Sequence, residues 1–161
     1  MRVGQGWDIH RLVAGRPLRL GGIEVPFERG LLGHSDGDVV LHALTDALLG
    51  ALAAGDIGQH FPDTDARYRG ADSAVLLGEI AKMAAQRGYR IGNVDVTILA
   101  ERPKLAAHMA AMRERMAAVL GIDEGQVGIK AKTMEGLGTI GAGDAIAALA
   151  VVVIEPSRRR R

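Results

Sequence analysis

The residues with the clearest potential for chemistry are two histidines and an aspartate. Asp8 and His10 are separated by one residue in a loosely alternating stretch, and His42 lies in an apolar stretch with helical spacing. Because residues i and i+2 of a strand share a face, Asp8 and His10 are expected to point the same way. Two imidazoles and one carboxylate can occupy three corners of a tetrahedron around zinc and leave the fourth to water or substrate. The same ligand set suits iron(II), and each residue taken singly also has an ordinary structural explanation.

A second group of polar residues precedes the helical stretch. His34, Ser35, Asp36 and Asp38 stand between a glycine and the first apolar residues, where side-chain oxygens commonly cap the first helical N–H groups. Ser35 and Asp38 also have the spacing of a capping box. A helix N-terminus attracts anions, so His34, Ser35 and nearby backbone amides could hold a phosphate. We interpret Asp36 and Asp38 as structural residues and His34 and Ser35 as phosphate contacts.

Two further segments carry polar groups that could face a ligand. Residues 130–135 combine two lysines, a hydroxyl and a carboxylate, and Glu135 could hold a magnesium ion beside phosphate oxygens. An exposed strand face has the same lysine alternation. Residues 55–65 are dense in glycine and carboxylates and lack periodicity, which favours a binding loop, although an ordinary surface loop is the alternative.

The metal and phosphate candidates must be positioned by the first predicted elements. Residues 2–10 are typical of a short strand, with Trp7 and Ile9 expected to face the core. Gly21-Gly22 lies between two short apolar runs and predicts a two-residue hairpin. Apolar residues at helical spacing predict a helix that begins at residue 36 or 38 and ends near residue 53.

The rest of the chain alternates between helices and strands. We predict a helix over 72–87, a strand over 89–99, a helix over 105–120 and strands over 127–132 and 146–154. This alternation predicts an α/β (α+β) fold in which helices cover one face of a mixed sheet. The length of 161 residues fits a single domain over residues 1–161.

Composition excludes several classes of function. The net charge is +1, with 20 basic and 19 acidic residues, and aromatic residues make up 3% of the chain, which argues against a nucleic-acid partner. The basic run at 158–161 is expected to be a solvated terminus. With no cysteine, zinc–thiolate sites, disulfides and thiol nucleophiles are excluded. We see no signal peptide and no apolar run long enough to cross a bilayer, so we expect a soluble, cytoplasmic protein without a membrane partner.

Familiar catalytic motifs are also missing. The chain has no Gly-x-x-x-x-Gly-Lys-Ser/Thr sequence and no Gly-x-Ser-x-Gly sequence, so neither a P-loop nor a nucleophile elbow is expected. From the residues alone, the prediction is a metal and phosphate site whose reaction remains open.

Together, the motifs resemble one family, the 2-C-methyl-D-erythritol 2,4-cyclodiphosphate synthases of non-mevalonate isoprenoid synthesis. The resemblance runs in order along essentially the whole chain, which makes it far more specific than any single motif. The matching stretches are residues 6–10, 33–38, 42–43, 46–51, 55–58, 60–63, 93–95 and 102–104, together with Lys130, Ala131, Thr133 and Glu135.

The resemblance implies a reaction and an assembly. The substrate would be 4-diphosphocytidyl-2-C-methyl-D-erythritol 2-phosphate, whose 2-phosphate attacks the β-phosphorus and releases CMP as the cyclic diphosphate closes. The chain would form a homotrimer with active sites between neighbouring subunits. Zn²⁺ would be bound at each site, and Mg²⁺ or Mn²⁺ would accompany the substrate.

The resemblance also implies roles for individual residues. Asp8, His10 and His42 would hold zinc, Glu135 would bind the second divalent cation, and His34 and Thr133 would stabilise the transition state. The other substrate contacts would involve Ser35, Asp56, Ile57, Gly58, Phe61, Pro62, Asp63, Thr64, Asp65, Lys132 and Met134, with Asp8, His10, His34, Thr133 and Glu135 also touching substrate. Cytosine would be held by the neighbouring subunit's segment of Ala100, Glu101, Arg102, Pro103, Lys104, Leu105 and Ala106.

Three residues depart from the family pattern. Lys132, Thr139 and Ala142 stand where threonine, phenylalanine and arginine are usual. The last two changes remove an aromatic and a basic group near the central cavity of the trimer, where relatives can hold an isoprenoid diphosphate. We therefore expect the synthase reaction with a weak or absent cavity site.

Two other functions stay open at this point. A zinc-dependent phosphohydrolase would use a water at the same metal site and release an open product. A non-catalytic nucleotide-binding trimer would use the same binding residues without turnover.

Overall fold

The computed structural model describes residues 1–157, so the basic run at 158–161 lies outside the described residues. The strands are β1 (Arg2–Ala14), β2 (Leu18–Leu20), β3 (Ile23–Val25), β4 (Arg29–Leu31), β5 (Tyr89–Leu99), β6 (Val127–Lys132) and β7 (Ala145–Pro156). The helices are α1 (Val39–Ala51), α2 (Ile57–His60), α3 (Ser73–Gln86), α4 (Met109–Leu120) and α5 (Gly138–Gly141). Single 3₁₀ turns cover Ala66–Tyr68, Ala106–His108 and Glu124–Gln126.

A mixed sheet forms the centre of the fold. Its five strands lie in the order β4-β1-β7-β5-β6, and β2 pairs separately with β3. The β5–β6 pair is parallel, whereas β1–β4, β1–β7 and β5–β7 are antiparallel. The buried aliphatic residues of the sheet pack with those of α1, α3 and α4 in one continuous core. The predicted mixed α/β architecture is confirmed.

Helix α1 lies directly on β1, and this contact reverses one sequence prediction. An added Cβ would lie 1.9 Å from the Ala47 carbonyl oxygen at Gly4 and 2.0 Å from the Ala43 carbonyl oxygen at Gly6. Only glycine therefore fits at these two positions of β1. Trp7 and Ile9 were predicted to face the core but lie on the opposite face, 51% and 38% exposed.

The start of α1 is fixed by Asp38, which is fully buried. Its carboxylate caps the helix by accepting the Val40 and Leu41 N–H groups at 3.1 Å. It also accepts the N–H groups of Gly21 and Gly22, which have φ of 61° and 79° and form the predicted hairpin turn between β2 and β3. The proposed Ser35–Asp38 capping box is wrong, because Asp38 itself is the cap.

Several of the remaining elements match their predicted bounds, but β1 continues to Ala14 and α4 begins at Met109 rather than at residue 105, because residues 106–108 form a 3₁₀ turn. Strands β5 and β6 coincide with the predictions, and β7 extends the predicted strand at both ends. The predicted loop over 55–65 contains the four-residue α2, and α5 was not predicted. No helix among residues 1–157 is long and apolar enough to cross a membrane.

Candidate active site

Asp8, His10 and His42 converge at one end of the β1–α1 contact. The Asp8 Oδ2 atom lies 2.8 Å from His10 Nε2 and 3.1 Å from His42 Nδ1, and the two nitrogens are 3.1 Å apart. Ligands of a tetrahedral zinc ion, each about 2.0–2.1 Å from the metal, lie about 3.3 Å from one another. The three atoms need to separate by only a few tenths of an ångström, so the group could hold a metal ion.

The imidazole of His10 is oriented by the backbone. Its Nδ1 hydrogen-bonds to the carbonyl oxygen of Leu32, which can only accept, so Nδ1 carries a proton and Nε2 is the ring nitrogen that faces Asp8 and His42. Gly33 lies against this ring, since an added Cβ would be 3.2 Å from His10 Cε1. A side chain at this position would therefore have to displace the ring by a few tenths of an ångström.

The surroundings of Asp8 and His10 favour a negative charge on the carboxylate and a positive charge on the imidazole. Burial acts to raise the pKa of Asp8, but its contacts with the imidazoles of His10 and His42 outweigh this effect and hold that pKa well below its usual value. Burial acts to lower the pKa of His10, but its hydrogen bonds to Asp8 and to the Leu32 carbonyl raise it above the usual value. The carboxylate is thus charged at neutral pH, as a metal ligand must be.

The other nitrogen of His42 faces two serines. Its Nε2 lies 2.9 Å from the Ser35 Oγ and 2.9 Å from the Ser73 Oγ, and both serines are buried. The Ser73 hydroxyl also lies 2.5 Å from the Asp36 carboxylate. Sequence analysis missed Ser73 because a serine at the start of a helix looks like an ordinary capping residue. No short-range pattern joins it to His42, which lies 31 positions away.

A cavity of about 430 Å³ opens in front of these residues. Two of its lining residues, Tyr68 and Leu76, were not predicted; Tyr68 packs edge-on against Phe61 with ring centroids 5.2 Å apart. The predicted residues that line it are Asp8, His10, His34, Ser35, His42, Ile57, Gly58, Phe61, Pro62 and Asp63.

The loops around this cavity are held by specific contacts. Arg16 donates to the carbonyl oxygens of Gly33 at 3.1 Å and Ser35 at 2.9 Å, which anchors the segment that carries His34. Asp46, on α1, accepts the Ile57 N–H at 2.7 Å and holds the start of α2.

Three residues predicted to contact substrate do not line this cavity, and two of them have other partners in the described chain. Asp56 caps α2 by accepting the Gln59 N–H at 3.0 Å, and the Asp65 carboxylate pairs with Arg67 at 2.6 Å. Thr64 does not line the cavity.

The other predicted residues gather around a second cavity of about 340 Å³. Arg102 lies instead beside a neighbouring cavity with Phe27. The predicted residues that line the second cavity are Ala100, Glu101, Pro103, Lys104, Leu105, Ala106, Lys132 and Thr133.

The segment after β6 carries the remaining predicted residues. The Thr133 hydroxyl donates to the Glu135 carboxylate at 3.0 Å, and Glu101 accepts the Met134 N–H at 3.2 Å. Glu135 has a φ of 51°, a backbone conformation uncommon for a residue with a side chain.

The two cavities are separate within one chain. None of the described residues of 100–106 or 132–135 lines the cavity of Asp8, His10 and His42. Thr139, one of the residues that depart from the family pattern, lines a third cavity with Arg11 and Asp144. The structure therefore divides the predicted site residues into two main groups.

Comparison with known proteins gives a single family. The model of the YgbB family matches residues 1–155. A 2-C-methyl-D-erythritol 2,4-cyclodiphosphate synthase of Geobacter sulfurreducens is 58% identical over 155 residues, covering 96% of this chain and 99% of that protein. The synthase of Verminephrobacter eiseniae is 59% identical over 156 residues, covering 96% and 85%. A solved structure of such a synthase in a CDP-bound form superposes with a TM-score of 0.88 at 42% identity, covering 96% of this chain and 100% of that chain.

Proposed function

Because the chain belongs to the YgbB family of 2-C-methyl-D-erythritol 2,4-cyclodiphosphate synthases, we propose residue roles, metals and an assembly for the synthase reaction. The protein is a phosphorus–oxygen lyase. It converts 4-diphosphocytidyl-2-C-methyl-D-erythritol 2-phosphate into 2-C-methyl-D-erythritol 2,4-cyclodiphosphate and CMP. The observation that carries the assignment of the site is the convergence of Asp8, His10 and His42 at the cavity that His34 and Ser35 line.

The reaction asks mainly for positioning and charge neutralisation. The nucleophile is a phosphate that is already anionic at neutral pH, so no general base is needed. An oxygen of the 2-phosphate bonds to the β-phosphorus, and the bond between that phosphorus and the oxygen bridging to the α-phosphate breaks, so the electron pair leaves with CMP. Holding the two reacting groups of one molecule together can supply about 7–11 kcal/mol of the barrier in favourable cases.

We assign Asp8, His10 and His42 as ligands of Zn²⁺. The nitrogen and carboxylate donors suit that ion, and both imidazoles direct a ring nitrogen at the Asp8 carboxylate. When bound, the ion would neutralise charge on the diphosphate and help to align it.

The other residues divide between the phosphates and the sugar. His34 and Ser35 line the metal cavity and would contact the phosphates. Asp56, Ile57 and Gly58, at the start of α2, would contact the erythritol portion, together with residues 61–65. Thr133 would stabilise the transition state, and Glu135 would hold Mg²⁺ or Mn²⁺, which would neutralise phosphate charge.

The cytidine end of the substrate would occupy the second cavity. That cavity is lined by Ala100, Glu101 and residues 103–106, together with Lys132 and Thr133. Lys132 would add a phosphate contact. Because the two cavities are separate in one chain, the complete site would combine the metal cavity of one subunit with the second cavity of its neighbour.

A homotrimer would supply this arrangement. Its support within the chain is the uncovered sheet face, where exposed Val3, Trp7, Ile9 and Val151 form an apolar patch. Contiguous apolar patches of this kind mark interaction surfaces. The proposal includes a single domain over residues 1–161, supported by the family match over residues 1–155, and a cytoplasmic location.

One assay separates the synthase reaction from the two other functions. The protein is incubated with the diphosphocytidyl phosphate substrate in Zn²⁺ and Mg²⁺, and the products are resolved by phosphorus NMR. We expect CMP and the cyclic diphosphate in equal amounts. CMP with an open diphosphate would indicate a hydrolase, and bound but unchanged substrate would indicate a binding protein.

A further inference from the structure

We propose that Asp36 and Ser73 form a hydrogen-bonded relay that fixes the tautomer and orientation of His42, and so sets the affinity of the site for its metal ion. The inference rests on the metal site of the proposed function. It assigns positioning roles to Asp36, which the sequence analysis interpreted as structural, and to Ser73, which it did not place at the site.

The direction of the hydrogen bonds follows from the groups involved. The Ser73 Oγ lies 2.5 Å from Asp36 Oδ1 and 2.9 Å from His42 Nε2. An ionised carboxylate can only accept, so the single hydroxyl proton of Ser73 is donated to Asp36. The Ser73 oxygen is then left to accept, and His42 must carry its proton on Nε2.

This tautomer leaves the useful lone pair on the other nitrogen. The Nδ1 atom of His42 lies 3.1 Å from Asp8 Oδ2 and 3.1 Å from His10 Nε2, on the side where a metal ion would be held. Partners of this kind, behind a ligating histidine, fix its ring and increase its basicity. The relay therefore prepares His42 for metal binding before the ion arrives.

Ser35 does not provide the same constraint. Its Oγ is also 2.9 Å from His42 Nε2, but its nearest other contacts are the Ser73 hydroxyl and the Gly37 N–H, both at 3.4 Å. With no carboxylate to take its proton, the Ser35 hydroxyl can either donate to Nε2 or accept from it. Only the oxygen of Ser73 is committed to accepting.

The relay is separable from the role of Asp36 in packing. Asp36 Oδ2 also accepts the Ser73 N–H at 3.1 Å, which anchors the start of α3 to the loop before α1. Ser73→Ala removes the hydroxyl but keeps this backbone contact. Asp72 offers a matched control, because it caps the same helix by accepting the Ala74 N–H at 2.8 Å and is not part of the His42 contacts.

The test compares zinc affinity in wild type, Ser73→Ala and Asp72→Ala by competition with a chromogenic chelator. We expect Ser73→Ala to bind zinc about 10–100-fold more weakly. Asp72→Ala should keep wild-type zinc affinity while its metal-free form unfolds at a lower temperature. The visible spectrum of the cobalt-substituted proteins, which reports ligand geometry, should change in Ser73→Ala and remain unchanged in Asp72→Ala.

Two outcomes would overturn the relay. Wild-type zinc affinity in Ser73→Ala would remove its basis, and equal weakening in both variants would show a general effect of loosening α3. A failure of the wild-type protein to bind zinc would instead contradict the proposed metal site, so the two failures are distinguishable.

Discussion

The imidazole of His42 uses its two nitrogens for two different tasks. One faces Asp8 and His10, and the other faces the serines that come from the loop before α1 and from the start of α3. Three separate parts of the chain therefore determine the position of one side chain. The geometry of the proposed metal site therefore depends on His42 both as one of three ligands and as the residue that connects these parts of the chain.

Replacing His42 should remove the metal and the activity together. In His42→Ala, Asp8 and His10 keep only two of the three donor atoms, and we expect the purified protein to contain little zinc and to release no measurable CMP. Metal analysis and the CMP assay measure the two effects. His108→Ala is a control because His108 lies outside the metal cavity. Full activity of His42→Ala in rigorously metal-free buffer would contradict the assignment.

Sequence identified part of this site because its spacing is local. The alternation of a strand was enough to place Asp8 and His10 together, as their contact at 2.8 Å bears out. Residues that meet through the fold, such as Asp36 and Ser73, leave no local pattern, since each resembles an ordinary cap at the start of a helix. Their contact appears only once α3 is packed beside the loop before α1.

At the scale of elements, the contact between β1 and α1 sets the tightest requirement. At Gly6, an added Cβ would lie 2.0 Å from the Ala43 carbonyl oxygen and 2.7 Å from the Ala47 amide nitrogen. These are backbone atoms of a helix and cannot rotate aside as a side chain can. The close approach also explains why the sequence analysis misplaced Trp7: a large side chain cannot fit beneath α1, so glycines occupy positions 4 and 6.

Gly6→Ala should therefore destabilise the fold. Moving α1 away from β1 would loosen the core and shift His42 relative to Asp8, and we expect a loss of about 2–3 kcal/mol in the free energy of unfolding. Denaturant titration measures it. Gly78→Ala is the control, since a Cβ there meets no atom within 4 Å and should stabilise α3 by about 0.5–1 kcal/mol. Equal stability of both variants would contradict this description of the contact.

Asp38 joins a second pair of elements, the β2–β3 hairpin and α1. Asp38→Ala would leave four buried or half-buried N–H groups without their acceptor, and we expect a loss of about 2–4 kcal/mol in the free energy of unfolding. Asp38→Asn keeps one acceptor oxygen and should lose less. Thermal and denaturant unfolding of the metal-free proteins provide the comparison. An unchanged midpoint in Asp38→Ala would show that these hydrogen bonds are dispensable.

For the whole molecule, the separation of the two cavities is the central observation. If each active site combines two chains, then two inactive variants damaged in different cavities should restore activity when they are mixed. We expect His42→Ala and Thr133→Ala to be nearly inactive alone and to recover part of the wild-type CMP release after joint refolding, because some interfaces then carry two intact halves.

The control for this experiment is joint refolding of two variants damaged in the same cavity, His42→Ala and His10→Ala, which should stay inactive. Light scattering should give a mass of three chains for each preparation. No recovery in a mixed trimer would indicate that one chain supplies the complete site.

Sequence predicted the architecture of the whole molecule better than its surfaces. The bounds of β5 and β6 follow from alternating aliphatic residues, a signal that acts over a few residues. Which sheet face stays uncovered depends on where α1, α3 and α4 pack, and both faces of β1 carry apolar residues. The uncovered face therefore could not be assigned before the fold was known.

Successive side chains of β1 point to opposite faces of the sheet, so the strand carries two sets of residues with different roles. Gly4 and Gly6 face the interior and Asp8 and His10 the candidate metal site, whereas Val3, Trp7 and Ile9 are exposed on the opposite face, where the proposed trimer would cover them. The constraints on amino-acid substitution along this strand should consequently alternate from one residue to the next. Even positions would be constrained by the folding and metal binding of the single chain, and odd positions by contacts between chains. The two sets of residues could therefore change independently of each other.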